Sequence, residues 1–415
     1  MIETQHEQPQ RVVLAAVDTG EYDVKVSLDE LEELAETAGA QTIAKIYQRR
    51  PSFDPATCIG EGRLQELTQF CKTNEIELVI FDHELSPAQI SNVEKVCEIP
   101  VIDRTMLILD IFAQRAVTAE GKLQVELAQL KYRLPRLTGM GTELSRLGGG
   151  IGTRGPGESK LETDRRHIRR RISALQEQLE KLEKRRGLLR ERRKKDGVTT
   201  VAIVGYTNVG KSTLLNALTD AGILAEDKLF ATLDPTSRAL MLPDGRQVML
   251  IDTVGLVRRL PHQLVEAFKS TLEEAVGADL LWCVCDISSE EVQEQISVTR
   301  SLMQELGVEN TPVLTILNKC DRISESPLAL NPLTAVISAK TGFGLDTLLK
   351  KTACALKPTH QRMHLLIPYD KSGLVNEIIK KGKVFEQEFT ENGTKIDALV
   401  DLKILHKVKE YKLEE

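Results

Sequence analysis

The chain has 415 residues, 41% of them apolar and 28% charged, with a formal net charge of −6. That length calls for about two to four domains, each large enough to bury a core. The polar, partly acidic start at Met1–Gln8 reads as neither a secretory signal nor a transit peptide, and no apolar run reaches the length of a membrane span.

Seven cysteines (Cys58, Cys71, Cys97, Cys283, Cys285, Cys320, Cys354) are odd in number and scattered, without a C-x-x-C pair. That pattern argues for a reducing cytosol, without disulfides or structural zinc. Charge is uneven. Residues 160–196 hold fifteen Lys or Arg against seven Asp or Glu, a surplus of +8, so the rest sums to −14. A basic rod in an acidic protein is suited to a polyanion.

Residues 11–116 alternate between strand-like and helix-like segments. Val12–Ala16 reads as a strand, and Ser27 with Glu30 as a capping box opening a helix that Gly39 closes. Ile43–Tyr47 alternates like a strand, Leu64–Asn74 is helical, Leu78–Phe81 a buried strand, Ser86–Cys97 a helix, Pro100–Asp103 a strand and Thr105–Ala116 a helix. The alternation predicts a small open parallel sheet as an N-terminal α/β domain, 1–117. Gly60, Gly62 and Arg63 before a helix read first as a turn and helix start, and only second as an anion contact.

A helical hairpin with a glycine-rich basic loop is expected over 118–196. Leu123, Leu127, Leu130 and Leu134 recur at four-three-four spacing; Ile168, Ile172, Leu175, Leu179, Leu182 and Leu189 continue it, with Arg186 at one seam position. At about 1.5 Å per residue, Arg165 to Lys194 makes a rod roughly 45 Å long. Its Arg185–Lys195 charge fits a solvated coiled-coil face as well as a polyanion contact. Between the helices, Leu147–Lys160 holds six glycines with Arg154 and Lys160, a flexible basic loop able to order on RNA.

The chemistry begins after the apolar run Thr199–Val204. Gly205, Tyr206, Thr207, Asn208, Val209, Gly210, Lys211 and Ser212 fit G-x-x-x-x-G-K-[ST] between strand and helix. The glycines let backbone N–H groups point at phosphate oxygens, Lys211 supplies a point charge, and the Ser212 hydroxyl is a ligand for Mg²⁺. Phe230, Ala231, Thr232, Leu233 and Asp234 form the mobile candidate, with Thr232 on Mg²⁺ only while the γ-phosphate is present. The strand Val248–Ile251 ends in Asp252, Thr253, Val254 and Gly255: a carboxylate near Mg²⁺, then an N–H for the γ-phosphate. Thr315–Leu317 leads to Asn318, Lys319, Cys320 and Asp321, in which Asp321 accepts from guanine N1–H and the 2-amino group, a donor pair that adenine lacks. Ser338, Ala339 and Lys340 follow, with the Ala339 N–H facing guanine O6.

In this order, each at a strand end, the motifs predict a GTPase domain over 197–358; an ATP-dependent P-loop kinase would lack Asn-Lys-x-Asp. Lys211, Thr232 and Gly255 are the residues expected to act on the reacting phosphate. Leu256 stands where many GTPases place a water-orienting Gln, so intrinsic hydrolysis is expected to be slow and stimulated by a partner. Arg238, Arg258 and Arg259 lie near in sequence and read equally as surface charge. Asp244 and Gly245 make a hairpin turn, Trp282 reads as core, and 359–415 as a small C-terminal α/β domain.

Together with the glycine loop Ile151–Arg166, the segment Phe230–Pro235, Leu256 after the Asp-Thr-Val-Gly stretch, and Gln48–Arg63, these features resemble the HflX family of translational GTPases in the Obg–HflX superfamily. Ser237 and Ser159 stand where that family usually has Thr. The resemblance implies a cytoplasmic, Mg²⁺-dependent GTPase, with peripheral membrane attachment left open and no DNA or integral membrane among its partners. It also implies a monomer that binds GTP, GDP and the large ribosomal subunit with its rRNA, and that splits stalled or idle ribosomes. By the same resemblance Ser212 and Thr232 are the Mg²⁺ ligands. The alternative is a signalling switch whose coiled-coil hairpin binds protein; an RNA-remodelling nucleotidase with a second site in 11–116 ranks lower, because no second P-loop stands there.

Overall fold

The computed structural model describes residues 9–137, 156–219, 236–253, 255–258, 276–289, 291–305, 307–308, 311–323, 331–356 and 360–413. Two compact units divide the chain, one of Met1–Leu240 with Val248–Leu345 and one of Met241–Gln247 with Asp346–Glu415.

The first unit opens with β1 (Gln10–Asp18), α1 (Val24–Thr37), β2 (Ala40–Arg49), α2 (Glu61–Thr73), β3 (Leu78–Phe81), α3 (Pro87–Cys97), β4 (Val101–Asp103) and α4 (Arg104–Arg115). The strands form a parallel sheet in the order β2-β1-β3-β4. Its central strand is apolar on both faces because both are covered. Val12, Leu14 and Ala16 pack with α1 and α4 through Leu28, Leu31, Leu34, Ile108 and Ile111. Val13, Ala15 and Val17 pack with α2 and α3 through Leu64, Leu67, Cys71, Val93 and Cys97.

Helix starts show where local reading is reliable. Ser86 caps α3 with a complete capping box: its hydroxyl accepts from Gln89 N, and Gln89 Oε1 accepts from Ser86 N at 2.9 Å. The expected box at Ser27 does not form. Asp23 Oδ1 accepts from Lys25 N and Val26 N, starting α1 about one turn earlier. Ser27 is then an interior, buried residue whose hydroxyl donates to Asp82 Oδ2 at 2.8 Å. Gly60 caps α2 without a side-chain hydrogen bond, the turn-and-helix-start reading of that stretch.

Two long helices follow, α5 (Ala119–Arg136) and α6 (Pro156–Asp196, 41 residues). The stripe Ile168, Ile172, Leu175, Leu179, Leu182 and Arg186 is less exposed than its neighbours, and Leu175 is fully buried. Arg186 fits the seam because its guanidinium meets Glu120 at 2.9 Å. Leu189 does not extend the seam; it is 47% exposed, and Leu188 beside it 69%. Proline at the first helical position starts α6 inside the expected loop, since its missing N–H costs nothing there. The rest of that loop lies outside the described residues. α5 also has a second face: Val125, Ala128 and Tyr132 enter the N-terminal core, where the Tyr132 hydroxyl donates to Asp103 and Arg136 stacks on the Tyr132 ring.

Next come β5 (Thr199–Gly205), α7 (Lys211–Thr219), β6 (Thr236–Met241), β7 (Gln247–Asp252), β8 (Leu280–Asp286), α8 (Val292–Glu305), β9 (Val313–Asn318) and β10 (Thr334–Val336). They give a six-stranded sheet in the order β10-β9-β8-β5-β7-β6, with Trp282 wholly buried on β8.

In the second unit α9 (Leu345–Ala355) leads to β11 (His360–Ile367), α10 (Ser372–Lys381), β12 (Lys383–Thr390) and β13 (Gly393–Asp401). The antiparallel sheet β11-β13-β12 carries a core of Met363, Leu365, Ile367, Ile378, Ile396 and Ala398. The turn at Asp244 and Gly245 belongs to this unit, where Arg246 donates to the Ala353 carbonyl. Among the described residues the architecture matches the α/β expectation.

Replacing Ser86 with alanine should cost about 1 kcal/mol, so that amide exchange across Pro87–Cys97 quickens about fivefold while α7 exchange is unchanged.

Candidate functional site

β5, β7, β8, β9 and β10 are paired in parallel, so their carboxyl ends open on one side of the sheet. In such sheets the loops that follow the strands meet in one crevice. The P-loop leaves β5, Asp252 ends β7, Asp286 ends β8, Asn318 ends β9, and Ser338 and Ala339 follow β10. Residues scattered over about a third of the sequence are thereby brought together by topology alone.

The P-loop residues Gly205–Ser212 wrap with Asn208 at φ 58° and Gly210 at φ 91°. Lys211 is buried, and its Nζ donates to the carbonyls of Gly205 at 3.1 Å and Tyr206 at 2.6 Å. Burial pulls its ammonium down to about 8, against the opposing charge of Asp252. The Ser212 hydroxyl donates to Asp252 Oδ2 at 3.2 Å, and the Thr253 hydroxyl to the Ile203 carbonyl at 2.7 Å. Burial also pushes the Tyr206 phenol up to about 12.

Asn318 joins the two halves of the site. Its Nδ2 donates to the Val209 carbonyl at 2.7 Å, and its Oδ1 accepts from Ala339 N at 2.9 Å. Gly210 is required at that junction, because a Cβ there would lie 2.4 Å from Asn318 Nδ2. The Ala339 N–H, expected to face guanine O6, is directed at Asn318 in this structure. Lys319 turns left-handed at φ 65° and pairs with Asp286 at 2.7 Å. The Cys320–Arg322 turn follows, held by Cys320 N on the Ile337 carbonyl at 3.2 Å. Asp321 is exposed and accepts from the buried Ser338 hydroxyl at 2.6 Å, which holds its carboxyl below the usual range. Lys340 is exposed beside it.

Leu256 is 2% exposed and pairs with the P-loop through Leu256 N on the Gly205 carbonyl at 3.0 Å and Thr207 N on the Leu256 carbonyl at 2.8 Å. Phe230, Ala231, Thr232, Leu233, Asp234, Val254 and Arg259 lie outside the described residues. Two partners went unread in sequence. Asp286, which neutralises Lys319, could have been found as an acid ending the run Leu280–Cys285. Glu30, which holds Arg258, carries no such signal.

Comparison with known proteins shows the family. Residues 25–113 match a GTP-binding GTPase N-terminal model, 115–193 a GTP-binding GTPase middle region, and 200–319 a 50S ribosome-binding GTPase. The GTPase HflX of Caldanaerobacter subterraneus subsp. tengcongensis is 51% identical over 402 residues, covering 97% of this chain and 94% of its own. The chain belongs to the GTPase HflX family. The Escherichia coli HflX is 42% identical over 391 residues, 93% of this chain and 92% of its own. Among solved structures, a GDP-bound GTP-binding protein from Sulfolobus solfataricus is 25% identical, covering 83% of this chain and 98% of its own, with a TM-score of 0.46. As an HflX GTPase, the chain hydrolyses GTP at a guanine-nucleotide site. No helix among the described residues is long and apolar enough to cross a membrane.

Asn318→Ala should weaken GDP and GTP binding alike, by about tenfold or more, because both ends of one bridge are lost at once. A fluorescent-GDP titration with GTP competition measures it.

Proposed function

We propose that this HflX GTPase is Mg²⁺-dependent, works on the large ribosomal subunit and splits stalled or idle ribosomes. The observation that carries the nucleotide reading is the Asn318 bridge between the Val209 carbonyl and Ala339 N. It couples the loop suited to phosphates to the loop suited to the base.

In this reading, backbone N–H groups of Tyr206–Ser212 and the α7 amino end receive the phosphates. The Lys211 ammonium takes the β/γ-phosphate charge, and Gly255 N–H meets the γ-phosphate. Asp321 receives guanine N1–H and the 2-amino group, with Ser338 orienting its carboxylate and Lys319 along the ring. The Ala339 N–H is shared between Asn318 Oδ1 and guanine O6. Ser212 and Thr232 would hold Mg²⁺ through their hydroxyls, with the Asp252 carboxylate, 3.2 Å from Ser212 Oγ, as the nearby hard oxygen that suits such an ion. The chemistry such an ion would supply there is neutralisation of charge developing on the phosphate oxygens. Leu256 has no group to orient water, so slow intrinsic turnover and stimulation by the partner follow.

The match of residues 200–319 to a 50S ribosome-binding GTPase and the α6 surplus of positive charge support ribosomal RNA as that partner. Because α6 lays its apolar stripe against α5 of the same chain, the seam is occupied and the charged faces remain. A protein-binding coiled coil, the signalling reading, loses its seam by the same observation. The cytoplasm and a monomeric state go with this proposal, as does the division into 1–117, 118–196, 197–358 and 359–415.

Asp321→Asn should relax guanine selectivity toward xanthine nucleotides in competition binding; unchanged preference for GTP over XTP refutes the base assignment. In co-sedimentation, the chain should pellet with large subunits under a non-hydrolysable GTP analogue and far less under GDP. Raising salt from about 50 to about 200 mM should release it steeply, as phosphate contacts through many cations do. Finding no nucleotide-dependent large-subunit binding would favour the signalling switch.

A further inference from the structure

Glu30, on α1 of the N-terminal sheet, reaches the nucleotide site from 228 residues away. Its Oε1 accepts from Arg258 N at 3.1 Å, and its Oε2 meets Arg104 Nη2 at 2.8 Å. Arg104, 3% exposed, pairs on its other side with buried Asp82 at 2.8 Å and donates to the Arg258 carbonyl at 3.3 Å. Val257 lies in the N-terminal hydrophobic core, and the Arg258 guanidinium pairs with Glu291. Three consecutive residues are thus pinned in turn: Leu256 to the P-loop, Val257 in the neighbouring core, Arg258 by its backbone on Glu30.

The restraint falls just after Gly255. A Cβ on Gly255 would stand 2.6 Å from Thr207 Cγ2 and 3.0 Å from Lys211 Nζ, so this backbone lies against the P-loop lysine. An N–H held there beforehand is worth more to a terminal phosphate than one that must be ordered on binding. A diphosphate lacks the group that would feel it.

We propose that Glu30 is a positioning residue for the GTPase reaction: by clamping the Arg258 backbone it holds Gly255 for the γ-phosphate and sets the preference for GTP over GDP. This rests on the reading of Gly255 given above. By linkage, bound triphosphate strengthens the Glu30 clamp by the same factor by which the clamp strengthens triphosphate binding.

The test compares wild type, Glu30→Ala, Glu30→Gln and Gly255→Ala, in the full chain, for affinity toward a non-hydrolysable GTP analogue and toward GDP, with a melting temperature for each. Glu30→Ala should lower the analogue-to-GDP affinity ratio by about fivefold or more while GDP affinity stays within about twofold. Glu30→Gln, which can keep an acceptor for Arg258 N but turns an NH2 toward Arg104 in place of the second oxygen, should restore part of the ratio, to within about twofold of wild type. Should Glu30→Ala not fold, a drop of about twofold in Glu30→Gln supports the clamp in its place, and an unchanged ratio there overturns it. A merely structural role would lower the melting temperature and leave the ratio alone, which overturns the proposal. An unchanged ratio in Glu30→Ala beside a collapsed one in Gly255→Ala overturns the clamp and leaves the Gly255 reading standing. An unchanged ratio in both overturns the two together.

Discussion

A single carboxamide governs how the nucleotide site is assembled. Asn318 can donate and accept at once, and it uses both capacities across the crevice: the donor on the Val209 carbonyl, the acceptor on Ala339 N. An aspartate there would lack the donor, and a leucine would leave a buried carbonyl and a buried N–H without partners. The bond also explains Gly210 as packing as much as conformation, since any side chain at that position would displace the Asn318 amide. With that bridge made, a displacement of the Gly205–Ser212 loop is a displacement of the Ser338–Lys340 loop, so the two move as one object.

Around that object the fold repeats one device twice. Both parallel sheets present their polar residues at the carboxyl ends of the strands. In the N-terminal sheet these are Asp82, His83, Asp103 and Arg104; in the larger sheet Asp252, Asp286 and Asn318. In the first sheet these polar groups are bonded within the protein: Ser27 and Arg104 donate to Asp82, Val17 N to His83, and Tyr132 and Arg136 to Asp103. In the second they remain arranged around a crevice. The difference is between a polar edge that joins parts of a protein and one that lines an open crevice. Arg104 stands between the two, satisfying the Asp82 carboxylate on one side and the Arg258 carbonyl on the other.

Much of this was legible in sequence because short-range chemistry and strand patterning carry it. Doubly buried strands such as Val79–Phe81 and Leu280–Cys285 are continuous apolar runs; the phosphate and base loops are short motifs at their ends; Ser86 and Gln89 announce a helix within four residues. What escaped was decided at long range. The start of α1 turned on Asp23 outcompeting Ser27 as a cap, and Ser27 was needed by Asp82 across 55 residues. The second face of α5 was hidden because Val125, Ala128 and Tyr132 lie between the leucines of a stronger seven-residue repeat. Arg258 was indistinguishable from surface charge until its backbone was found on Glu30.

The helical hairpin follows from the same balance of charge. A cation within an apolar seam is costly unless paired, and Arg186 is paired with Glu120; Arg171 with Glu126 fastens the same two helices at 2.7 Å through two parallel bonds. Two carboxylates of α5 are thereby consumed in closing the hairpin. The acids of α6 are consumed in part along its own length, as in Glu177 with Lys181. Its surplus of cations, Arg185, Arg192 and Arg193 among them, gathers at the end of the helix nearest β5, beside the exposed Leu188 and Leu189. Apolar surface that a solvated coiled-coil face has no reason to expose, ringed by cations within a few residues of the strand that carries the phosphate loop, sets this end of the hairpin apart from the paired stretch before it.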